Sequence, residues 1–278
     1  MIRIFHQNML DYGGRTPVRN ATFTAALGAI NGITGANYWA AGFTEVLYAG
    51  AATQANLPLI AQALDAGLTR MHVIEVGTTL LGRQEFIAIA WDDFSFPVAH
   101  VGRVLWDPMN RSWAPHNAAP GAAATQVLPL PTGVAMGADT RGLAYIAGAS
   151  ATTGRRYVIA FMHNMYNLGN KTAAFESLNV MATRARNAIG GNYTDATVVI
   201  GGDFNLEPRT RKRPRGSDEF FHARATVAAN GSYVNTTNVH PYDFWVVSDA
   251  AITDASTQVF VQTRVAHGSD HAGITVTF

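Results

Sequence analysis

The sequence contains no cysteine, which removes disulfides, thiolate zinc sites and cysteine nucleophiles together. It is also poor in charge. Only 14% of its 278 residues are Asp, Glu, Lys or Arg, against 48% hydrophobic residues, a balance that excludes a disordered chain and a charged coiled coil. No uninterrupted apolar run approaches the roughly 18 residues of a membrane-spanning helix, so no transmembrane segment is expected. The opening MIRIF lacks the basic and apolar regions of a secretory leader. The expectation is a soluble chain, cytoplasmic or exported without disulfides. The 26 glycines and 11 prolines follow no period, which sets aside collagen-like and low-complexity readings. Lysine is nearly absent: only Lys171 and Lys212 stand among 20 basic residues, a bias that a GC-rich genome explains.

What is present suits a large core. The length lies near the upper end for one domain, no linker divides the chain, and a single domain over residues 1–278 is expected. A net charge of +1 is too balanced to imply a nucleic-acid partner. Its distribution is less even. Arg209, Arg211, Lys212, Arg213 and Arg215 fall within seven residues, on an otherwise mildly acidic chain.

Hydrophobic patterning predicts strands over residues 2–8, 38–45, 71–76, 86–91, 98–106, 143–149, 157–163, 198–201, 243–248, 258–264 and 273–278. Helices are expected from an N-cap at Asn20 to Ile30, over 54–66, over 171–189 and from Ser217 onward. Residues 107–141, with five prolines, read as surface loops. The mixture predicts one α/β domain with many strands.

Polar residues gather where those strands end. Asn8 closes the first, Glu45 the second, and His163 the run YVIAFMH. Asp203 and Asn205 follow VVIG, Asp243 opens DFWVVS, and Asp270–His271 precede the last strand. If the strands share a sheet edge, these groups converge. Carboxylate and amide oxygens without thiolate suit Mg²⁺, Mn²⁺ or Ca²⁺ better than zinc. Two histidines add groups that exchange protons near neutral pH. A hard cation, two histidines and an arginine suit phosphate-ester hydrolysis, one histidine activating water and the other protonating the leaving oxygen.

Asn8, Glu45 in TEV, His163, GDFN at 202–205, YDFWVVS at 242–248 and SDH at 269–271 resemble the endonuclease/exonuclease/phosphatase superfamily, in its motif order and across nearly the whole chain. The likeness is closest to deoxyribonuclease I and to the nuclease subunit of cytolethal distending toxin, the latter in GDFN followed by Glu207–Pro208. It implies a four-layered α/β sandwich, two packed mixed β-sheets flanked by helices, with the site at one edge. It further implies that Glu45 binds the principal metal (Mg²⁺ or Mn²⁺, with Ca²⁺ possible), with Asn8 and Asp270 nearby. Asp203 and Asn205 would hold the water, the phosphate or a second metal. His271 would be the general base oriented by Asp243, and His163 the general acid oriented by Glu85. Arg141 matches the arginine that contacts the scissile phosphate.

Two departures stand out. The stretch LLGRQEF at 80–86 lacks the family's phosphate-contacting tyrosine, and Leu47 replaces an arginine that reads the DNA minor groove. The expected function is a monomeric metal-dependent endonuclease acting on DNA, with the five basic residues at 209–215 gripping phosphates. The alternatives are hydrolysis of a small or lipid phosphoester, of phosphoinositide or sphingomyelin type, and a non-catalytic binder of nucleic acid or a partner. Against sphingomyelin, no apolar membrane-docking hairpin is evident. Trp106 and Trp113 are expected to pack rather than stack on bases.

Overall fold

The computed structural model describes residues 1–13, 18–47, 50–107, 109–208, 222–224, 234–248, 256–260 and 269–278. In chain order the first half comprises β1 (Arg3–Tyr12), α1 (Val18–Thr34), β2 (Ala40–Val46), α2 (Ala51–Leu64), β3 (Arg70–Thr78), β4 (Gln84–Trp91), β5 (Val98–Asp107), β6 (Ser112–Ala118), β7 (Thr125–Leu128) and β8 (Thr140–Arg141). The second half adds β9 (Leu143–Ala149), β10 (Arg156–His163), α3 (Leu168–Glu176), α4 (Leu178–Ile189), β11 (Thr197–Asp203), β12 (His222–Arg224), β13 (Asp243–Val247), β14 (Ser256–Phe260) and β15 (Gly273–Thr277).

These strands form two mixed sheets. One runs β14-β15-β1-β2-β4-β3-β7, with β8 added beside β3; the other runs β12-β13-β11-β10-β9-β5-β6. Alternation along each strand sends side chains to opposite faces. Ile4, Ile74, Ile87 and Trp91 of the first sheet meet Ile146, Ile159, Phe161 and Trp245 of the second in a central core. The outward residues of the first sheet, such as Phe5, Phe43 and Val73, are covered by Phe23, Leu27, Leu57 and Ile60 of α1 and α2. Those of the second, such as Val158, Ile200 and Phe244, lie under Phe175, Leu178 and Met181 of α3 and α4. The result is the four-layered sandwich that the motifs implied.

Several sequence expectations need correction. Residues 107–141 hold three strands, because β6 sits at a sheet edge, where Pro115 withholds no needed ladder donor. The expected helix over 171–189 is two helices broken at Ser177, whose hydroxyl donates back to the Ala173 carbonyl at 2.6 Å. Asn20 lies inside α1 rather than capping it, and its side-chain oxygen accepts the Tyr12 hydroxyl. The helix from Ser217 and residues 261–264 of a predicted strand fall outside the described residues. Trp106 and Trp113 pack edge to face, 5.5 Å apart, across the β5–β6 pair.

At the middle of the sandwich, Gly42 of β2 faces Phe161 of β10. A Cβ at Gly42 would stand 2.1 Å from the Phe161 ring, so only glycine lets the two parallel central strand pairs approach this closely. Gly42→Ala should destabilise the fold by about 1–3 kcal/mol through overpacking. Thermal unfolding of the variant beside the wild type checks this, and an unchanged Tm contradicts it.

Candidate active site

The inward-facing rows of five strands change character at one edge of the sandwich. On β10 the row Tyr157–Ile159–Phe161 ends in His163, on β11 Val199–Gly201 ends in Asp203, and on β13 Val247–Trp245 ends in Asp243. The register aligns His163 with Asp203 and Asp203 with Asp243. From the facing sheet, Ile4–His6 on β1 leads to Asn8, and Trp91–Ile89–Ile87 on β4 leads to Glu85. Strict alternation would turn Glu45 to the outer face beside Phe43. A bulge in β2 and a left-handed backbone at Glu45 (φ 59°) re-aim it into the cleft instead.

The cleft measures about 600 Å³. Glu45, Arg141, His163, Asp203, Asn205, Asp270 and His271 line it, with Asn8, Glu85 and Asp243 bonded behind them. At its floor lies Asp203 Oδ2, which accepts Asn8 Nδ2 at 3.1 Å and faces His163 Nε2 at 3.6 Å and His271 Nε2 at 3.5 Å. Asp203 Oδ1 accepts the Asn205 backbone N–H at 2.8 Å. Each histidine is held from behind by its own carboxylate: His163 Nδ1 lies 2.5 Å from Glu85 Oε1, and His271 Nδ1 lies 2.7 Å from Asp243 Oδ2. Arg141 donates from Nε to Glu85 at 2.7 Å and from Nη1 to the Asn164 carbonyl at 2.6 Å. Its other amino group bonds to none of the described residues.

Burial pushes the Asp203 carboxyl up, but the two histidines and the Asn205 N–H outweigh it and hold it below the usual carboxylate range. Burial likewise presses His271 down, and the charges of Asp243 and Asp203 overcome that and lift it to about 10. His163 is pressed down by burial and Arg141, yet Glu85 and Glu45 raise it on balance. Glu45 itself is pushed up, first by burial and then by the neighbouring carboxylates. It accepts no hydrogen bond from the described residues, and neither does Asp270, whose side chain is 54% exposed.

That donor set fits a divalent cation. Asp203, Asp243 and His271 each offer a ligand atom within 4.8 Å of one another. Of that trio Asp203 and His271 line the cleft, while Asp243 lies behind them, bonded to His271 through Oδ2, so Asp203 is the carboxylate of the three that faces the cleft. The Glu45 carboxylate, which accepts no hydrogen bond from the described residues, and the Asp270 carboxylate, 3.7 Å from His271 Nε2, line the same cleft, and the Asn8 and Asn205 amides stand at its floor. Oxygen donors of this kind suit Mg²⁺, Mn²⁺ or Ca²⁺.

The structure thus brings together Asn8, Glu45, Glu85, Arg141, His163, Asp203, Asn205, Asp243, Asp270 and His271. Arg209, Arg211, Lys212, Arg213 and Arg215 lie outside the described residues. Three further polar residues at strand ends, to which the sequence assigned no role, contribute to the site. Asn164 is fully buried, and its carbonyl accepts both Arg141 and the Asn205 side chain. Gln7 donates to the carbonyls of Asn8 and His271, tying the first strand to the last motif. His6, a histidine inside an apolar strand with no motif around it, sits directly behind Asp243. Its only sequence signal was its place two residues before Asn8, on the same face of the strand.

No family model matches the chain, and no curated protein does. Solved structures do. The catalytic domain of human Nocturnin superposes with a TM-score of 0.61 at 15% identity, over 99% of this chain and 93% of that one. A mannosyl-6-phosphatase from Bacteroides thetaiotaomicron gives 0.60 at 14% identity, over 100% and 99%. An endonuclease/exonuclease/phosphatase family protein from the same species gives 0.59 at 15%, over 99% and 96%. The chain has the endonuclease/exonuclease/phosphatase fold. Within that fold, the polar row described above occupies the edge where the parallel strand pairs β1–β2 and β10–β11 end together.

The His271 environment makes a testable statement about pH. In metal-free protein its imidazole should stay protonated well above pH 8, and Asp243→Asn should drop its titration toward the ordinary 6.5. Because the folded value is raised, this group stabilises the fold below pH 6.5, and that contribution is lost as pH rises through about 10. An NMR titration in EDTA measures it; a wild-type His271 titrating near 6.5 contradicts the geometry.

Proposed function

We propose that the protein is a divalent-metal-dependent phosphodiesterase, an endonuclease hydrolysing DNA, with the whole chain as one catalytic domain. The observation that carries this reading is the Asp203 carboxylate flanked by two histidines, each backed by its own acid. Such symmetry places a proton acceptor and a proton donor on either side of one reacting centre. His271 Nε2 takes the proton of the attacking water while Asp243 holds Nδ1. His163 Nε2, with Glu85 behind it, protonates the leaving oxygen as its bond to phosphorus breaks. Arg141 offers its unbonded amino group to a phosphoryl oxygen, and Asp203 with Asn205 orients the water or the phosphate. Glu45, Asn8 and Asp270 would hold Mg²⁺ or Mn²⁺, which supplies Lewis-acid stabilisation of the phosphoryl oxygens. His271 would act as a base once the Asp203 charge that helps hold its proton is neutralised, as it would be beside a bound cation.

The fold neighbours support this reaction class: one is named a phosphatase, and the Nocturnin domain carries a bound sulfate, a tetrahedral oxyanion. The likeness to deoxyribonuclease I and the toxin nuclease rests on the order of the motifs from Asn8 to His271. The basic run at 209–215, which starts four residues after Asn205, supports a polyanionic substrate.

One observation favours a second reading, a small or lipid phosphoester. Leu80 and Leu81 are 60% and 78% exposed in the turn joining β3 to β4, and they line the cleft together with the exposed Val239 and Tyr166. This is an apolar hairpin tip that the sequence reading did not anticipate. It is the place where an apolar substituent would rest.

Cleavage of supercoiled plasmid in Mg²⁺, Mn²⁺ or EDTA decides between the readings. Metal-dependent nicking that falls at least about a hundredfold in Asp203→Ala and in His271→Ala supports the nuclease mechanism. Full activity in either variant overturns it. Turnover of a lipid or aryl phosphoester without nicking selects the second reading, and metal-independent DNA binding without any cleavage selects a non-catalytic binder. If residues 209–215 grip phosphates, neutralising them should flatten the affinity-versus-log[salt] slope by about 0.9 for each phosphate no longer held; an unchanged slope removes them from the interface.

A further inference from the structure

Behind the Asp243–His271 pair lies a second imidazole that the proposed reaction does not use. His6 is fully buried on the inward face of β1, two residues before Asn8. Its Nε2 lies 3.0 Å from the Thr44 hydroxyl of β2, and its ring stacks on Phe161 of β10 at 6.2 Å and 19°. These contacts leave little freedom for the ring plane. With the Thr44 hydroxyl donating to Nε2, the ring proton sits on Nδ1.

That nitrogen has no hydrogen-bond partner, and it faces an atom in the same position. Asp243 Oδ1 is buried and unpartnered as well, 3.7 Å from His6 Nδ1, while Asp243 Oδ2 is bonded to His271. The Thr236 side-chain oxygen accepts the Asp243 backbone N–H at 2.9 Å and lies 3.4 Å from the His240 carbonyl; its hydroxyl favours the ionised Asp243 carboxyl from nearby, yet Oδ1 has no hydrogen-bond partner. A separation of 3.7 Å is too long for a hydrogen bond and too short to admit a bridging water. A buried donor and a buried acceptor left unpaired each carry a desolvation cost. A shift of a few tenths of an ångström from each side removes both, and hydrogen bonds of catalytic groups commonly tighten in this way in the reacting complex.

We propose that His6 is a positioning residue: by donating from Nδ1 to Asp243 Oδ1, it fixes the carboxylate orientation that presents Oδ2 to His271. The chain would then run Thr44–His6–Asp243–His271, crossing from the first sheet to the second. Phe161 and Thr44 set the His6 ring, His6 sets the carboxylate, and the carboxylate sets the imidazole that faces the cleft. Any protonation state of His6 with a proton on Nδ1 serves. The inference rests on the phosphodiesterase reading only for its catalytic consequence; the hydrogen-bond chain stands apart from it.

Three substitutions separate the two ring nitrogens. His6→Asn places an amide donor near the Nδ1 position, His6→Gln reaches only toward Thr44, and His6→Phe keeps the shape and the stack without either bond. The first readout needs no substrate: the proton NMR resonance of His271 Nδ1–H, shifted downfield by its bond to Asp243 and assigned by its loss in His271→Asn. It should persist in His6→Asn and move upfield or broaden in His6→Gln and His6→Phe. The second readout is turnover of whichever phosphoester the enzyme cleaves. In the Gln and Phe variants kcat should fall about tenfold or more with KM little changed, since a small misplacement of a catalytic group costs rate rather than binding, and His6→Asn should restore it. Folded Gln and Phe variants with wild-type resonance and wild-type kcat overturn the proposal. If all three variants lose the resonance together with Tm, His6 is a packing residue and the proposal is equally overturned. The expected resonance pattern in a protein that cleaves no phosphoester would instead retire the phosphodiesterase reading and leave the positioning role intact.

Discussion

Asp203 is a carboxylate with almost no exposure to solvent, and the surroundings of the cleft answer the cost of burying it. A lone ionised acid in such a place would be strongly disfavoured. Here it is stabilised by an amide from Asn8, a backbone N–H from Asn205 and two imidazoles at about equal distance. Those imidazoles are buried in turn, and each needs its own counter-charge, which Glu85 and Asp243 provide. Glu85 then needs Arg141, and Arg141 needs the Asn164 carbonyl. One buried charge thus propagates into a network that ties strands of both sheets together. The same network is what makes proton transfer available, because a carboxylate bonded at Nδ1 keeps the proton there and leaves Nε2, which faces the cleft, as the nitrogen that exchanges one.

The sandwich makes such a network possible. Each inward row is apolar through the core and turns polar only in its last residue or two, so the polar groups emerge where the two sheets come to a common edge. The parallel pairs β1–β2 and β10–β11 lie at the centres of their sheets, and both end at that edge. Gly42 under Phe161 keeps the sheets close there. Side chains on central strands are held by neighbours on both sides, a rigidity that loops do not offer and that proton transfer over hydrogen-bond distances requires.

The same features explain what the sequence made legible. Strand-end polar residues after apolar runs are visible as local contrast, and this is why His163, Asp203, Asp243 and the Asp270–His271 pair could be picked out one strand at a time. Their pairings came only from the family resemblance, since the residues themselves give no sign that Glu85 meets His163 across the gap between two sheets and 78 residues of chain. Glu45 was found by its motif, although alternation assigns it to the wrong face; the bulge that corrects this has no clear periodic signature. His6 was passed over because a histidine inside an apolar strand usually signals a satisfied core residue, and only the three-dimensional structure shows it facing Asp243. The strands within residues 107–141 were hidden for a different reason. At a sheet edge, proline and polar residues are tolerated, so edge strands look like loops. The break at Ser177 was hidden because a serine is compatible with helix, and only its backbone, at φ −96° and ψ 4°, shows the interruption.

Floor and rim of the cleft therefore carry different kinds of information. The floor is built from strand ends and an interlocked set of charges, so few substitutions are tolerated without losing the network, and it speaks for the class of bond that is attacked. The rim is built from turns: Leu80 and Leu81 after β3, Tyr166 after β10, and Val239 before β13. Turns carry no such interlocking and change at little cost to the fold. Leu47, standing where an arginine would read a DNA groove, belongs to this rim, and so does the stretch that lacks the phosphate-contacting tyrosine. If the substrate is a phosphoester, as proposed, an apolar rim around a charged floor would discriminate through the group attached to the phosphate rather than through the phosphate itself. On the proposed reading, substrate choice would be a property of the turns, while the reaction would belong to the strands.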